Sequence, residues 1–263
     1  MESAERPLDV SVVACDAYEP EQAKAALSSL LAPLGGLCFV KPGDRLVIKA
    51  NLITFLKPDK AATTHPVLLS ALTELLRERG ASVVIGDSPG GPFSLPYLKR
   101  VYAATGLNDC EKTGAVLNQN TAIKEADFPE ARVMKHFTYT AYLEDCDYII
   151  DFCKLKTHGM MGLTGGCKNM FGAIPGTDKP EYHYRYPNPT DFITMVPHDT
   201  PQDSCSILTR ISSNLPSLLP KDLSSNPGVT STIQMQPWFR MKHRKPSKSA
   251  KEFVTPSWDQ VPF

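Results

Sequence analysis

The chain has 263 residues, 42% hydrophobic and 21% charged, which is enough to bury a sizeable core in one large or two small domains. Its 28 basic and 28 acidic side chains cancel, so no whole-molecule field favours nucleic acid or an anionic membrane. The opening MESAERPLDV lacks the basic start and apolar core of a secretory signal, and no apolar run approaches the roughly 20 residues a membrane helix needs. A cytoplasmic protein with no membrane and no nucleic-acid partner is expected.

Residues 9–15, DVSVVAC, form an apolar, β-branched run and read as a strand. Residues 20–34 carry Ala, Leu, Lys and Gln at helical spacing, stopped by Pro33 and Gly35–Gly36. After the KPGD turn, residues 45–52 (RLVIKANL) read as a buried strand. Residues 66–79 give the clearest helix: Thr64 offers a cap, Pro66 suits the first turn, Gly80 ends it, and five leucines share one face. Residues 81–86 (ASVVIG) are a third strand, followed by the turn DSPGG, and a second amphipathic helix spans about 95–104. Residues 115–118 and 132–137 are weaker strands, and 147–155 (DYIIDFCKL) a strong one.

Strands alternating with helices predict an α/β fold, a mainly parallel, Rossmann-like sheet with helices on both faces, over residues 1–195. Ligands in such sheets bind outside the carboxyl ends of the strands. Those ends present Lys49 and Asn51, then Asp87 and Ser88, then Lys154, Lys156, Thr157 and His158, which suggests one shared cleft. From about residue 196 Pro and Ser dominate and no period persists, so 196–263 reads as an irregular tail. It is a disordered segment, a basic surface patch (RMKHRKPSKSAK), or a stretch foreign to the fold through a frameshift or alternative splicing.

The densest chemistry lies in residues 154–179, KLKTHGMMGLTGGCKNMFGAIPGTDK. Glycine lets backbone approach a ligand, successive free N–H groups cradle anions, and a following helix start adds a favourable dipole. Thr164, Gly165, Gly166, Lys168 and Asn169 are therefore candidate cofactor-binding positions, against the plainer reading of a glycine-rich connector with solvated lysines. GxxxxGK[ST] is absent, GxGxxG does not follow the first strand, and GDSPGG has the wrong spacing for a hydrolase elbow. His158, at a strand end beside Gly159, suits a general base or metal ligand, and His183 lies where it can return to the same cleft. His65 is either a cap residue or a ligand, whereas His136, His198 and His243 read as structural. Seven scattered cysteines (15, 38, 110, 146, 153, 167 and 205) contain no CxxC pair, which argues against a disulfide framework, a zinc ribbon or an iron–sulfur cluster in this chain.

The pieces IKANL, TTHPVLLSALTELLRERGASVVIGDSPGG, KLKTHGMMGLTGGCKNMFGAIPG and the K-x-x-x-H region ending NPTDF together resemble the family of domain of unknown function 362, over roughly residues 8–193. Many members carry a ferredoxin-like segment that has no counterpart here. The run H-x-x-x-G-x-[ST]-G-G-x-K, followed by PG and a later histidine, more distantly resembles the nickel-pincer lactate racemases. That resemblance implies a nickel-bearing pyridinium nucleotide tethered by Lys168, a proton moved by His158 and metal ligation by His183. The racemases' second catalytic histidine has no match in GDSPGG. Three functional readings follow: an enzyme domain acting on a small anionic ligand, a non-catalytic module serving a separate iron–sulfur protein, or an inactive fragment.

Overall fold

The computed structural model describes residues 11–127, 129, 135–159 and 162–188. The chain enters through helix α1, Pro20–Leu31, with Pro20 at its first turn; it tightens into a 3-10 turn, Ala32–Leu34, and stops at Gly35, whose φ of +85° only glycine adopts readily. Strand β1 is Arg45–Lys49, helix α2 Pro66–Glu78, strand β2 Ser82–Gly86 and helix α3 Leu95–Thr105. A 3-10 stretch leads to β3, Val116–Leu117, and the exposed antiparallel pair β4, Ile123–Asp127, and β5, His136–Thr140. Strand β6, Tyr148–Asp151, returns to the sheet, the hairpin β7, Lys156–His158, and β8, Gly162–Thr164, rises from its end, and the short helix α4, Gly166–Met170, and α5, Lys179–Arg185, follow.

The central sheet has four parallel strands in the order β3-β2-β1-β6, with Lys49 in register with Gly86 on one side and Asp151 on the other. This is the parallel α/β fold expected from the alternating pattern. Side chains alternate across it. Leu46, Ile48, Val83, Ile85 and Ile150 share one buried cluster with α1, α2 and α3, including Leu27, Leu69, Leu72, Leu76, Leu98 and Val101. The opposite face carries Val47, Val84 and Ile149 beneath Tyr142, Leu143, Cys146 and Ala173, so short helical pieces cover it. Lys49 and Asp151 alternate onto that second face, at its carboxyl-terminal edge, and α4 lies over them.

Three local expectations need correction. Residues 11–15 make no strand ladder; with alternating half-buried and exposed side chains, they run along the surface. The cap of α2 is His65, whose Nδ1 accepts the Val67 N–H, while Thr64 is drawn inward to donate to the Phe152 carbonyl at 2.9 Å. Residues 152–155 continue β6 without strand pairing. Among the described residues Cys15, Cys38, Cys110 and Cys146 are free thiols, of which the last two are buried; desolvation pushes Cys110 up to about 11 and Cys146 to about 12. The tail from residue 196 lies outside the described residues.

A lysine-rich cleft at the strand ends

Lys49 anchors the site. It is fully buried, and its ammonium donates to the Asp87 carboxylate at 2.6 Å, the Ala50 carbonyl at 2.8 Å and Asn169 Oδ1 at 3.2 Å. Three acceptors consume all three N–H groups. Asp87 is equally committed, accepting from the backbone N–H of Ser88 at 2.8 Å and Leu52 at 2.7 Å. Lys49 and Asp87 therefore bind the ends of β1 and β2 together and present no group outward. Gly172 packs against them, where a Cβ would stand 2.5 Å from Lys49 Nζ.

Asn169 reaches down from α4 and fixes a directional chain of amides. Its Nδ2 donates to Asp151 Oδ1 and to the Lys49 carbonyl, and its Oδ1 accepts from Asn51 Nδ2 at 2.9 Å. Asn51 is thereby oriented with Oδ1 outward, where it accepts from Lys156 Nζ; the same amine donates to the Ala62 carbonyl at 2.6 Å. Burial pushes Asp151 up to about 7, against the lowering effects of Lys49 and the Asn169 hydrogen bond.

Around this scaffold stand four more lysines. Lys156 and Lys179 are each lowered to about 8, chiefly by desolvation, with neighbouring lysines adding to the effect. Lys154 and Lys168 are lowered by burial as well. Lys179 donates to the Ser88 carbonyl, and Lys168 lies over the Phe171 ring, 5.3 Å from its centroid. Lys49–Asp87 is the one lysine–carboxylate bridge among these residues that the described part of the chain contains. Two buried hydroxyls, Ser88 Oγ and Thr164 Oγ1, have no hydrogen-bond partner among the described residues. Gly165 and Gly166 are buried at the turn into α4, and Gly176 packs so tightly on the DSPGG turn that a Cβ would lie 1.9 Å from the Gly91 carbonyl oxygen.

The two candidate histidines meet at the hairpin: the His158 and His183 rings are 6.5 Å apart, and Phe171 packs edge-on to His183 at 5.3 Å. His183 Nδ1 is 2.8 Å from the Lys179 carbonyl, which can only accept, so Nδ1 carries the hydrogen and Nε2 the lone pair of the neutral ring. His158 is lowered by burial and by Lys168, His183 and Lys156. Among the described residues no three His, Cys, Asp or Glu side chains converge as a metal-ligand group. Thr157 alternates to the opposite side of the hairpin from Lys156 and His158 and is exposed.

The fold and cleft thus bring together Lys49, Asn51, Asp87, Ser88, Lys154, Lys156 and Asn169, with Thr164, Lys168, His158 and His183 beside them. Lys179 and Asp151 escaped the sequence reading. Lys179 precedes His183 by four residues on one helix, a spacing that places both on one face. Asp151 closes the apolar run YIID, as Lys49 closes RLVIK.

The chain is thus an α/β domain whose parallel strands end among clustered amines at the carboxyl edge of the sheet. The chain belongs to the family described as domain of unknown function (DUF362), whose sequence model matches residues 46–242. It is 34% identical over 182 residues to the thylakoid-associated protein sll1697 of Synechocystis sp., an alignment covering 66% of this chain and 53% of that protein. The chain thus spans about half the length of this relative. Among the described residues no helix is long and apolar enough to cross a membrane.

Proposed function

We infer that this chain binds a small anionic molecule, bearing phosphate or carboxylate, at the carboxyl edge of its parallel sheet, as the ligand-binding part of an enzyme. The observation that carries this reading is the imbalance of charge. Lys154, Lys156 and Lys179 gather near the Lys49–Asp87 pair, with Asp151 as the other carboxyl beside Lys49, and burial lowers each of the three amines. Buried cations are tolerated when a counter-charge completes them, and an oxyanion supplies one. The unpartnered Ser88 Oγ and Thr164 Oγ1 supply neutral donors for the same ligand.

Calorimetric titration with inorganic phosphate and with malonate tests the reading. Saturable binding, weakened at least tenfold by Lys179→Met, supports it; no saturable binding of either anion by the wild-type chain refutes it. Binding weakens above pH 8 as the Lys156 and Lys179 amines lose their protons.

The resemblance to the pincer racemases extends the reading to a tethered pyridinium nucleotide. The residues fit in kind: Lys168 offers a desolvated amine for a covalent link, and His183 an imidazole whose Nδ1 hydrogen is already committed. Such a group, when bound, supplies metal-centred electrophilic chemistry that side chains lack. His158, lowered by burial and then by the surrounding cations, would then accept and return a proton as a neutral imidazole. Intact mass of the protein from its own host tests the tether: an excess mapping to the Lys168 peptide supports it, and an unmodified mass removes it.

A further inference from the structure

Lys154 follows the carboxyl end of β6 and is buried beside the segment that leads into α2. The residue is 3% exposed, and burial lowers its amine. The segment 62–65 runs alongside 152–156 and is held at two points, Thr64 Oγ1 donating to the Phe152 carbonyl and Lys156 Nζ to the Ala62 carbonyl. These ties bracket Lys154 on one side and Thr63 on the other. Thr63 is 3% exposed, and its hydroxyl lacks a hydrogen-bond partner among the described residues. Next comes His65, close enough that the Lys154 charge joins burial in lowering it to about 4, so the ring is neutral. Its Nδ1 takes the Val67 N–H, which leaves the hydrogen on Nε2. Tyr18 stacks flat on the ring, centroids 3.6 Å apart, and holds its plane. His65 also opens the 13-residue helix α2, whose amino end adds positive potential.

We propose that Lys154, Thr63 and the Nε2–H of His65, with Lys156 at the boundary, form a second oxyanion subsite, separate from the Ser88–Thr164–Lys179 side of the cleft. The ligand class is phosphate or carboxylate, the groups that accept from an ammonium, a hydroxyl and an imidazole N–H together. The subsite extends the anion-binding reading above but rests on its own residues. An anion here supplies the acceptor that Thr63 lacks and a counter-charge for Lys154, and it touches His65, whose ring signal is a local reporter.

The test follows the histidine-ring NMR signals of the full chain during titration with sulfate, which stays dianionic across the neutral range. The His65 signal is assigned by its loss in His65→Gln. In the wild type it moves saturably; in Lys154→Met the apparent affinity read from it falls at least tenfold, whereas Lys60→Met, the same charge change at an exposed lysine, leaves it within twofold. Should Lys154→Met fail to fold, Lys154→Gln carries the same expectation for the His65 signal. A His65 signal indifferent to sulfate in the wild type, or unchanged in response by Lys154→Met, overturns the subsite. Calorimetric heat that is sensitive to Lys179→Met but unaffected by Lys154→Met overturns this subsite while leaving the main cleft intact; absence of all sulfate binding overturns both.

Discussion

Substituting Asp87 by Asn removes one charge and little volume, and it isolates what holds the strand ends together. Lys49 is fully buried and Asp87 nearly so, 2.6 Å apart, with Leu52 N–H and Ser88 N–H completing the carboxylate. An asparagine there keeps one acceptor but turns an NH2 group toward a committed donor, and it leaves the ammonium without a counter-charge. Breaking a buried pair from one side costs about 3–5 kcal/mol. At about 2–4 °C per kcal/mol for a chain of this size, the melting temperature falls by roughly 6–20 °C. The double variant Lys49→Met/Asp87→Leu removes both charges, and it recovers most of the loss because no ion remains stranded. Thermal and urea denaturation of the wild type, Lys49→Met, Asp87→Leu and the double variant close a double-mutant cycle. A single-variant cost below about 1 kcal/mol, or a double variant no more stable than the singles, would refute the claim that this pair acts as one unit.

Two further outcomes follow from the same geometry. Asp151 has its carboxyl raised to about 7, so the folded state resists its ionisation: that penalty is absent in acid, grows as pH rises from about 4, and is complete above 7. Asp151→Asn therefore stabilises the protein relative to wild type more at pH 8 than at pH 4, and denaturant midpoints at the two pH values measure it; a difference independent of pH contradicts it. Gly176→Ala forces a Cβ to within 1.9 Å of the Gly91 carbonyl oxygen, backbone that cannot swing aside, and costs at least the 1–3 kcal/mol typical of overpacking, with a matching fall in urea midpoint; a neutral effect contradicts the packing.

The strands and helices that build the sheet were legible because their signals are local. Leucines at helical spacing mark α2, and the apolar runs RLVIK, SVVIG and YIID mark buried parallel strands, so Lys49, Asp87 and Lys154 could be assigned to strand ends by position alone. Residues 11–15 show the limit: an apolar β-branched run reads as a strand whether or not a partner strand is available, and pairing is a long-range property. The polar strand β4 lacks a buried face and so left no periodic signal, whereas β5 begins within the weak run read at 132–137, of which 132–134 lie outside the described residues. Within the cleft, sequence identified which residue types gather but not which are spent on the scaffold. Lys49 and Asn169, read as ligand groups, have their donors and acceptors satisfied internally, whereas Lys179 and Thr63 emerge only when hydrogen-bond partners are traced. His65 as the cap of α2 realises one of the two alternatives that its position before Pro66 left open; the other is the donor role proposed above.

The central claim is that oxyanions bind at the carboxyl edge of the parallel sheet among its buried lysines. The most direct measurement is a crystal structure of the full chain grown with selenate, with anomalous data collected at the selenium edge. The account predicts ordered selenium peaks within hydrogen-bond reach of Lys179 and Ser88 on one side and of Lys154 on the other. Peaks confined to exposed surface lysines, or a cleft without anomalous density at saturating selenate, would contradict it.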